Sequence, residues 1–262
     1  MKTPQTLFLA WQDFKSRSWF PIGRLTFDGT RYKFVYIQGV EEAQQAYYFE
    51  PLSSFPYLDQ VYTSNHLFPV FSNRVMPPSR PDYAKFRQWL NIPEHEDDIL
   101  AILARSGGQR ETDSLAVFPC PEPDEEGRYQ LHFFAHGLRH LPKCTVERIN
   151  NFKPGEKLWL AHEFQNKYDS QALILNTEDH HIVGYCPRYL RSEVFELLQK
   201  DPSSVDLCVE RINLLPTPLK FRLLCSITAQ CEDDFRPFSS QEYQPLVKED
   251  IETTSFLSRT SG

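Results

Sequence analysis

The chain has 262 residues, of which 40% are hydrophobic and 14% aromatic, and its formal net charge is −7. This composition excludes a disordered chain, and no apolar stretch is long enough for a membrane-spanning helix. The negative charge argues against a broadly basic nucleic-acid-binding face. The six cysteines are scattered without a C-x-x-C pair, and the apolar run near the amino end is too short for a signal peptide. We therefore expect free thiols in a cytoplasmic protein.

Charge is distributed unevenly along the chain. Residues 1–127 contain 12 Lys and Arg against 17 Asp and Glu, residues 128–230 contain 13 against 11, and residues 231–262 contain 3 against 7. The middle block is the only one with a net positive charge, and it also contains six of the eight histidines. Because the excess is small, binding to a polyanion would depend on a local pocket rather than on a long-range field.

Composition also predicts an α+β protein with two domains. Residues 1–120 are expected to form a mixed, β-rich lobe with two helices, and the sequence PCPEPDEEG marks a linker over residues 121–127. Residues 128–231 form the second domain. Residues 232–262 are acidic and rich in Ser and Thr, so we expect a flexible tail.

The first lobe begins with a hairpin and continues with two helices. GRLTFDGTRYKFVYI alternates apolar and polar residues around Asp28-Gly29, which is a typical hairpin turn. One helix follows in RPDYAKFRQWL, with Asp82 at its amino end. The other lies in EDDILAILARSGG, between the acidic residues 96–98 and Gly107. The favourable interaction of acids with a helix amino end explains that acidic triplet better than a metal cluster does.

Several stretches of this lobe resemble a known family. Gly23-Arg24-Leu25, YYFEPLSSFPYL, HLFPVFSNRVMP and DDILAILARSGGQRETDSLAVFP are similar to the amino-terminal subdomain of HipA-type toxin kinases, over residues 20–120. Thr112-Asp113 stands where that family has Gly-Ala, and the kinase lobes with their catalytic loop are absent. The resemblance therefore implies an adaptor lobe that docks a protein partner, without kinase activity.

In the second domain, strand patterns surround a polar loop. LWLAHEF alternates between two faces, and QALIL and HHIVGY are placed on either side of a turn, which predicts neighbouring strands. The loop NKYDSQAL then lies at one end of these strands. Its Tyr168 offers a ring to an unpaired base, and Asp169 can accept a hydrogen bond from a sugar hydroxyl. Asn166 can contact a base edge or close the turn.

A helix is predicted after the last of these strands. Pro187 suits its first position, and the predicted buried stripe consists of Leu190, Val194, Leu197 and Leu198. Arg188 in the first turn opposes the helix dipole unless an anion binds beside it, and phosphate is the natural anion. Arg139, in a Gly-Leu-Arg-His turn, can add a second, forked contact.

The stretches HFFAHGLRHLPK, FKPGEKLWLAHEFQNKYDSQALIL and HHIVGYCPRYLRSEVFELLQ resemble the HIRAN domain, which is found alone in bacteria and at the amino end of DNA-remodelling ATPases of the helicase-like transcription factor family. The resemblance implies a small OB-like β-barrel with one or two helices that recognises the 3′ end of single-stranded DNA. The DNA-binding residues that it implies are Arg139, His140, Asn166, Tyr168, Asp169, Tyr185 and Arg188. His140 and Leu141 stand where the remodelling enzymes have two aromatics, and Tyr185 replaces a polar ring.

Two alternatives to DNA binding remain open from the sequence. In one, the barrel is a scaffold for a protein-binding module, and Arg188 is only the partner of an acid in its own domain. In the other, the protein is a nuclease or another hydrolase whose active-site carboxylates come from distant positions in the sequence. The sequence has no G-x-S-x-G, P-loop or H-E-x-x-H motif, and His136, His140 and Cys144 lack a second cluster. We therefore expect no catalytic activity, no metal and no cofactor.

Overall fold

The computed structural model describes residues 6–93, 98–110, 112–231 and 235–247. Its first sheet is formed by β1 (Thr6–Gln12), β2 (Trp19–Phe27), β3 (Tyr32–Tyr36), β4 (Tyr62–Ser64) and β5 (Leu115–Pro119). The strand order is β4-β3-β2-β1-β5, and every neighbouring pair is antiparallel. The predicted hairpin is confirmed, because β2 and β3 pair around Asp28-Gly29.

The described part of this lobe contains four helices where two were predicted. They are α1 (Gly39–Tyr47), α2 (Pro69–Ser72), α3 (Tyr83–Trp89) and α4 (Ile99–Ser106). None of the helices in the described ranges is long and apolar enough to cross a membrane. The sequence did not predict α1 and α2, because α2 is a single turn and α1 has a Gly at its first position, where helix propensity is low.

The two predicted helices differ at their amino ends. Asp98 caps α4, since its carboxylate accepts a hydrogen bond from the Leu100 N–H at 2.7 Å, and Gly107 ends that helix in the left-handed conformation. Asp82 precedes α3 without capping it, because its carboxylate pairs with Arg80 at 3.1 Å. The acids at positions 96 and 97 lie outside the described residues.

The second sheet is formed by β6 (Arg128–Phe134), β7 (Lys157–His162), β8 (Leu173–Asn176), β9 (Ile182–Tyr185), β10 (Val205–Ile212) and β11 (Leu223–Gln230). Its order is β6-β11-β10-β7-β8-β9. The sheet curls until its outer strands meet. His136 and Tyr185 exchange two backbone hydrogen bonds there, of 2.9 and 3.0 Å. This curled half-barrel beside a second sheet confirms the predicted α+β class.

Two helices accompany the half-barrel, α5 (Lys143–Asn150) and α6 (Arg191–Lys200). The helix predicted to begin at Pro187 begins later. A 3₁₀ turn over Arg188–Leu190 follows Pro187, and α6 starts only at Arg191. The predicted buried stripe is present, because Leu190, Val194 and Leu197 are at most 4% exposed and Leu198 is partly buried against the same core.

Strand β1 joins the two halves of the molecule. Side chains alternate between the two faces of a strand, and both faces of β1 are buried. Leu7 and Leu9 belong to the core of the first lobe, whereas Phe8 and Ala10 belong to the core of the half-barrel. The nearly continuous apolar run of this strand is therefore explained by burial on both sides.

The segment 235–247 packs into the half-barrel core, although the sequence predicted a flexible tail from residue 232. Phe235, Phe238 and Tyr243 are at most 4% exposed. The Phe238 ring lies 5.3 Å from that of Phe8 and 5.4 Å from that of Phe118. The burial of these aromatics could not be predicted from the sequence, because the surrounding residues are acidic and lack regularly spaced apolar positions.

A buried carboxylate holds this segment in place. Glu193 on α6 is 2% exposed, and its Oε2 accepts a hydrogen bond from the Phe238 N–H at 2.9 Å. Burial raises the pKa of Glu193 to about 7, and the Phe238 N–H offsets only part of that rise. Glu193 therefore favours its protonated form in the folded protein below neutral pH.

We expect Phe238→Ala to destabilise the protein by about 3–5 kcal/mol, because it removes a buried ring from the core. The control is Phe14→Ala, since the Phe14 side chain is 81% exposed. Urea unfolding of the two variants measures the difference. Equal stabilities would contradict the packing of residues 235–247.

The stability of Glu193→Gln should depend on pH differently from that of the parent. The pKa of Glu193 in the folded protein is above its usual value of 4.5. The stability that protonated Glu193 contributes is therefore complete below about pH 4.5 and is lost as the pH rises through the folded-state pKa. Glutamine stays neutral, so the variant should gain up to roughly 3 kcal/mol over the parent between about pH 4 and pH 8. Glu178→Gln, at an exposed position, should show no such gain in urea unfolding at the two pH values.

Candidate nucleic-acid interface

The loop between β7 and β8, residues 163–172, is the centre of the candidate site. The Glu163 N–H donates to the Ala172 carbonyl at 2.9 Å, so the ends of the loop are held together. The side-chain oxygen of Asn166 accepts hydrogen bonds from the N–H groups of Tyr168 at 2.9 Å and Asp169 at 3.0 Å. Of the two roles that the sequence left open for Asn166, the structure shows closure of the turn.

Asp169 is the most enclosed charge in this loop. Its side chain is only 10% exposed, and its Oδ2 lies 3.0 Å from Arg188 Nε. Oδ1 accepts from Arg191 Nη1 and from the Gln171 N–H. A carboxylate with so little solvent access needs such cations, because desolvation otherwise disfavours its charged form. Oδ2 keeps a free lone pair for another donor.

Arg188 connects three parts of the chain. Besides contacting Asp169, it donates from Nη2 to the Tyr168 carbonyl at 3.1 Å and from Nη1 to the Arg17 carbonyl at 2.9 Å. Its partner is thus an acid of its own domain, as the alternative interpretation of the sequence had it. Each terminal nitrogen uses one hydrogen in these bonds, so one hydrogen on each remains for a ligand.

Arg191 is a functional candidate that the sequence analysis missed. It begins α6, contacts Asp169 through Nη1, and its side chain is 23% exposed. Its buried Nε has no hydrogen-bond partner among the described residues. Its spacing from Arg188 was a signal in the sequence. The two arginines are three positions apart, and residues with this spacing lie on the same side of a helix.

Two aromatic rings of the loop are exposed. The side chains of Tyr168 and Phe164 are 84% and 78% exposed. The Phe164 ring packs 4.0 Å from the ring of His162, whereas the Tyr168 backbone is fixed by Asn166 and Arg188. An exposed ring on a fixed backbone is suited to stacking against an unpaired base.

A second set of predicted residues lies where the half-barrel closes. Gly137 has a φ of +78°, and a Cβ at this position would lie 2.7 Å from Cδ2 of Tyr185, so only glycine fits beneath that ring. Arg139 and His140 follow on the exposed side of the turn, and Arg139 Nε donates to His140 Nε2 at 2.9 Å.

Glu163 connects this second set to the loop. Its Oε2 accepts from Asn166 Nδ2 at 2.5 Å, and its charge also acts on Tyr185. Burial raises the pKa of Tyr185, and the negative charge of Glu163 adds to that rise. Glu163 therefore connects two of the predicted residues, Asn166 of the loop and Tyr185 of β9.

A polar cleft of about 410 Å³ opens beside the loop. Ligand pockets span about 300–1,000 Å³, so its size suits a small ligand or the end of a chain. The predicted residues Tyr168, Asp169 and Arg188 line it, whereas Arg139, His140, Asn166 and Tyr185 do not. The remaining lining residues are Ser18, Trp19, Phe20, Pro21, Glu42, Tyr47, Ser170, Gln171, Tyr189, Arg191, Ser192, Glu242 and Tyr243.

The charges around the cleft nearly balance. Arg188 and Arg191 face three acids, Asp169, Glu42 and Glu242. Burial raises the pKa of Glu242, and repulsion from Glu42 adds to this rise. The cleft therefore provides directed hydrogen-bond donors without a broadly positive potential.

The described residues contain no group of three His, Cys, Asp or Glu side chains placed to hold a metal ion. His136, which the sequence placed near His140 and Cys144, serves instead in closing the half-barrel. Burial lowers the pKa of His136 to about 4, with a smaller contribution from the positive charge of Arg188. The six cysteines are free thiols.

Comparison with known families identifies the half-barrel. Residues 129–230 match the model of the HIRAN domain family. This part of the chain is a HIRAN domain. The match runs from the first residues of β6 to the end of β11 and includes the loop, Asp169 and both arginines of the cleft. The resemblance of residues 20–120 to HipA-type kinases stays a prediction, as does a cytoplasmic location.

Two solved structures are similar to parts of the chain. A protein from Lactobacillus plantarum is 19% identical with a TM-score of 0.30, and the alignment covers 39% of this chain and 99% of that one. The HIRAN domain of human HLTF is 16% identical with a TM-score of 0.29, covering 40% and 80% of the two chains. No curated protein matches the chain.

Proposed function

We propose that this protein binds single-stranded DNA through its HIRAN domain and does not catalyse a reaction on it. The observation that carries the proposal is the exposed ring of Tyr168, held on a fixed loop beside Arg188 and Arg191 at the edge of a polar cleft. A strand with unpaired bases presents both a flat ring and a phosphate, which are the groups that these side chains recognise.

Stacking supplies the larger part of the proposed affinity. A base on an aromatic ring contributes about 1–3 kcal/mol. The remaining hydrogens of the Arg188 guanidinium can donate to a phosphate, and Arg191 has further donors that Asp169 does not use. Because Asp169, Glu42 and Glu242 also line the cleft, the phosphate contacts depend on hydrogen-bond geometry rather than on net charge.

The same geometry supports recognition of a free 3′ end. A terminal 3′ hydroxyl can donate to the free lone pair of Asp169 Oδ2, and a charge-assisted bond of this kind is stronger than one between neutral groups. A 3′ phosphate cannot donate in this way and is repelled by the carboxylate. Asp169 thus has two proposed roles, orienting the arginines and accepting from the strand end.

A second candidate function is docking of a protein. Leu214, Leu215 and Leu219, which follow β10, are 57%, 79% and 44% exposed. Exposed apolar side chains that lie close together are typical of interaction surfaces. A protein partner could also dock on the amino-terminal lobe, as its resemblance to an adaptor implies.

The proposal is tested by titrating the protein with a fluorescent single strand at several salt concentrations. We expect binding whose log–log salt slope is between about −0.7 and −1.4, which corresponds to one or two phosphate contacts. Tyr168→Ala should weaken binding by about 1–3 kcal/mol, because it removes the stacking ring. The control is Tyr48→Ala, since Tyr48 is 89% exposed and lies outside the cleft. A folded protein that binds no single strand at low salt would contradict the proposal.

Preference for a free 3′ end is tested with Asp169→Asn. The parent should bind a strand ending in a 3′ hydroxyl more tightly than the same strand ending in a 3′ phosphate, and the substitution should reduce that ratio towards one. A loss of affinity that is common to both strands cancels in the ratio, whereas the freed arginines and the lost repulsion favour the 3′ phosphate and lower the ratio further. An unchanged ratio would show that Asp169 only orders the loop.

A further inference from the structure

The amino-terminal lobe provides one wall of the cleft beside the HIRAN domain. It is lined by Ser18, by the first residues of β2 (Trp19, Phe20 and Pro21) and by Glu42 and Tyr47 of α1. All six lie outside residues 129–230, the range that matches the family. The cleft is therefore larger than the HIRAN domain alone can form.

Direct contacts fix this wall to the HIRAN domain. The Arg17 carbonyl, one residue before the lining segment, accepts from Arg188 Nη1 at 2.9 Å. The Trp19 ring meets the Tyr189 ring edge to face at 5.7 Å, and Phe118 of β5 stacks on Tyr189 at 5.0 Å. The two walls are thus joined at Arg188, one of the two arginines that pair with Asp169.

The wall also carries groups that would meet a strand. Tyr47 is partly exposed in the cleft, and its ring is supported by that of Phe20 at 4.7 Å. Glu42 is exposed and lies nearer the start of the same helix. Both walls therefore carry aromatic side chains, with Tyr47 among those of this lobe and Tyr168 among those of the HIRAN domain.

We propose that the amino-terminal lobe forms the second wall of the DNA-binding site, so that the end of a single strand lies between Tyr168 and Tyr47 and passes Glu42. This inference rests on the proposed function. It assigns residues outside the HIRAN domain to the binding site, and it gives Glu42 a measurable effect, because a carboxylate beside a bound polyanion opposes binding.

The test compares two charge reversals on one helix. Glu42 lines the cleft, whereas the adjacent Glu41 is exposed outside it. Glu42→Lys should strengthen binding of a single strand about fourfold, as expected for a charge change of two at roughly 10 Å from a phosphate in water. Glu41→Lys changes the net charge equally but should strengthen binding less than about twofold. Salt screens its interaction with the strand more strongly, because residue 41 lies outside the cleft.

Photo-crosslinking locates the strand independently. A strand with 5-iodouracil at its 3′-terminal position should crosslink to Tyr47 or Trp19 as well as to the loop 163–172, as identified by peptide mass spectrometry. Equal effects of the two charge reversals, or crosslinks confined to residues 129–230, would contradict the composite site while DNA binding stands. If the parent protein binds no strand at all, the proposed function itself fails, and the composite site with it.

Discussion

The ion pairs of Asp169 with Arg188 and Arg191 are the interaction on which the candidate site depends. They tie the β7–β8 loop to the start of α6, and Arg188 extends the connection to the Arg17 carbonyl in the other lobe. Removal of Asp169 would leave two partly buried cations without their counter-charge, which costs more than the pairs themselves contribute. Three segments that are distant in sequence are therefore held in one arrangement by a single carboxylate.

The features of the fold and of the site that the sequence predicted from its residues are those with local causes. Asn166 bonds to N–H groups two and three residues later, and Asp98 caps its own helix, so short sequence windows contain both interactions. The second wall has no such signal. Glu42 and Trp19 reach the cleft only through the packing of two sheets, and a sequence window around either residue gives no sign of it.

The family match covers fewer residues than the folded core that contains the HIRAN strands. Phe8 from β1 and Phe238 from the carboxyl-terminal segment are buried in the same core as the HIRAN strands. The predicted linker 121–127 contains no helix or strand, but β5 before it contributes Phe118 to that core. A fragment limited to residues 129–230 would expose apolar surface that the whole chain buries, so its stability and its cleft would both be reduced.

A net charge of −7 and a proposed polyanion ligand are compatible if few phosphates are involved. Each phosphate contact makes binding more sensitive to salt, whereas stacking on a ring such as Tyr168 does not depend on counterion release. In the cleft, two arginines face three acids, so long-range attraction is weak and the donors act only at contact distance. If the proposed function holds, such a site would distinguish an unpaired strand end from duplex DNA, because a duplex offers its phosphates but keeps its bases stacked on one another.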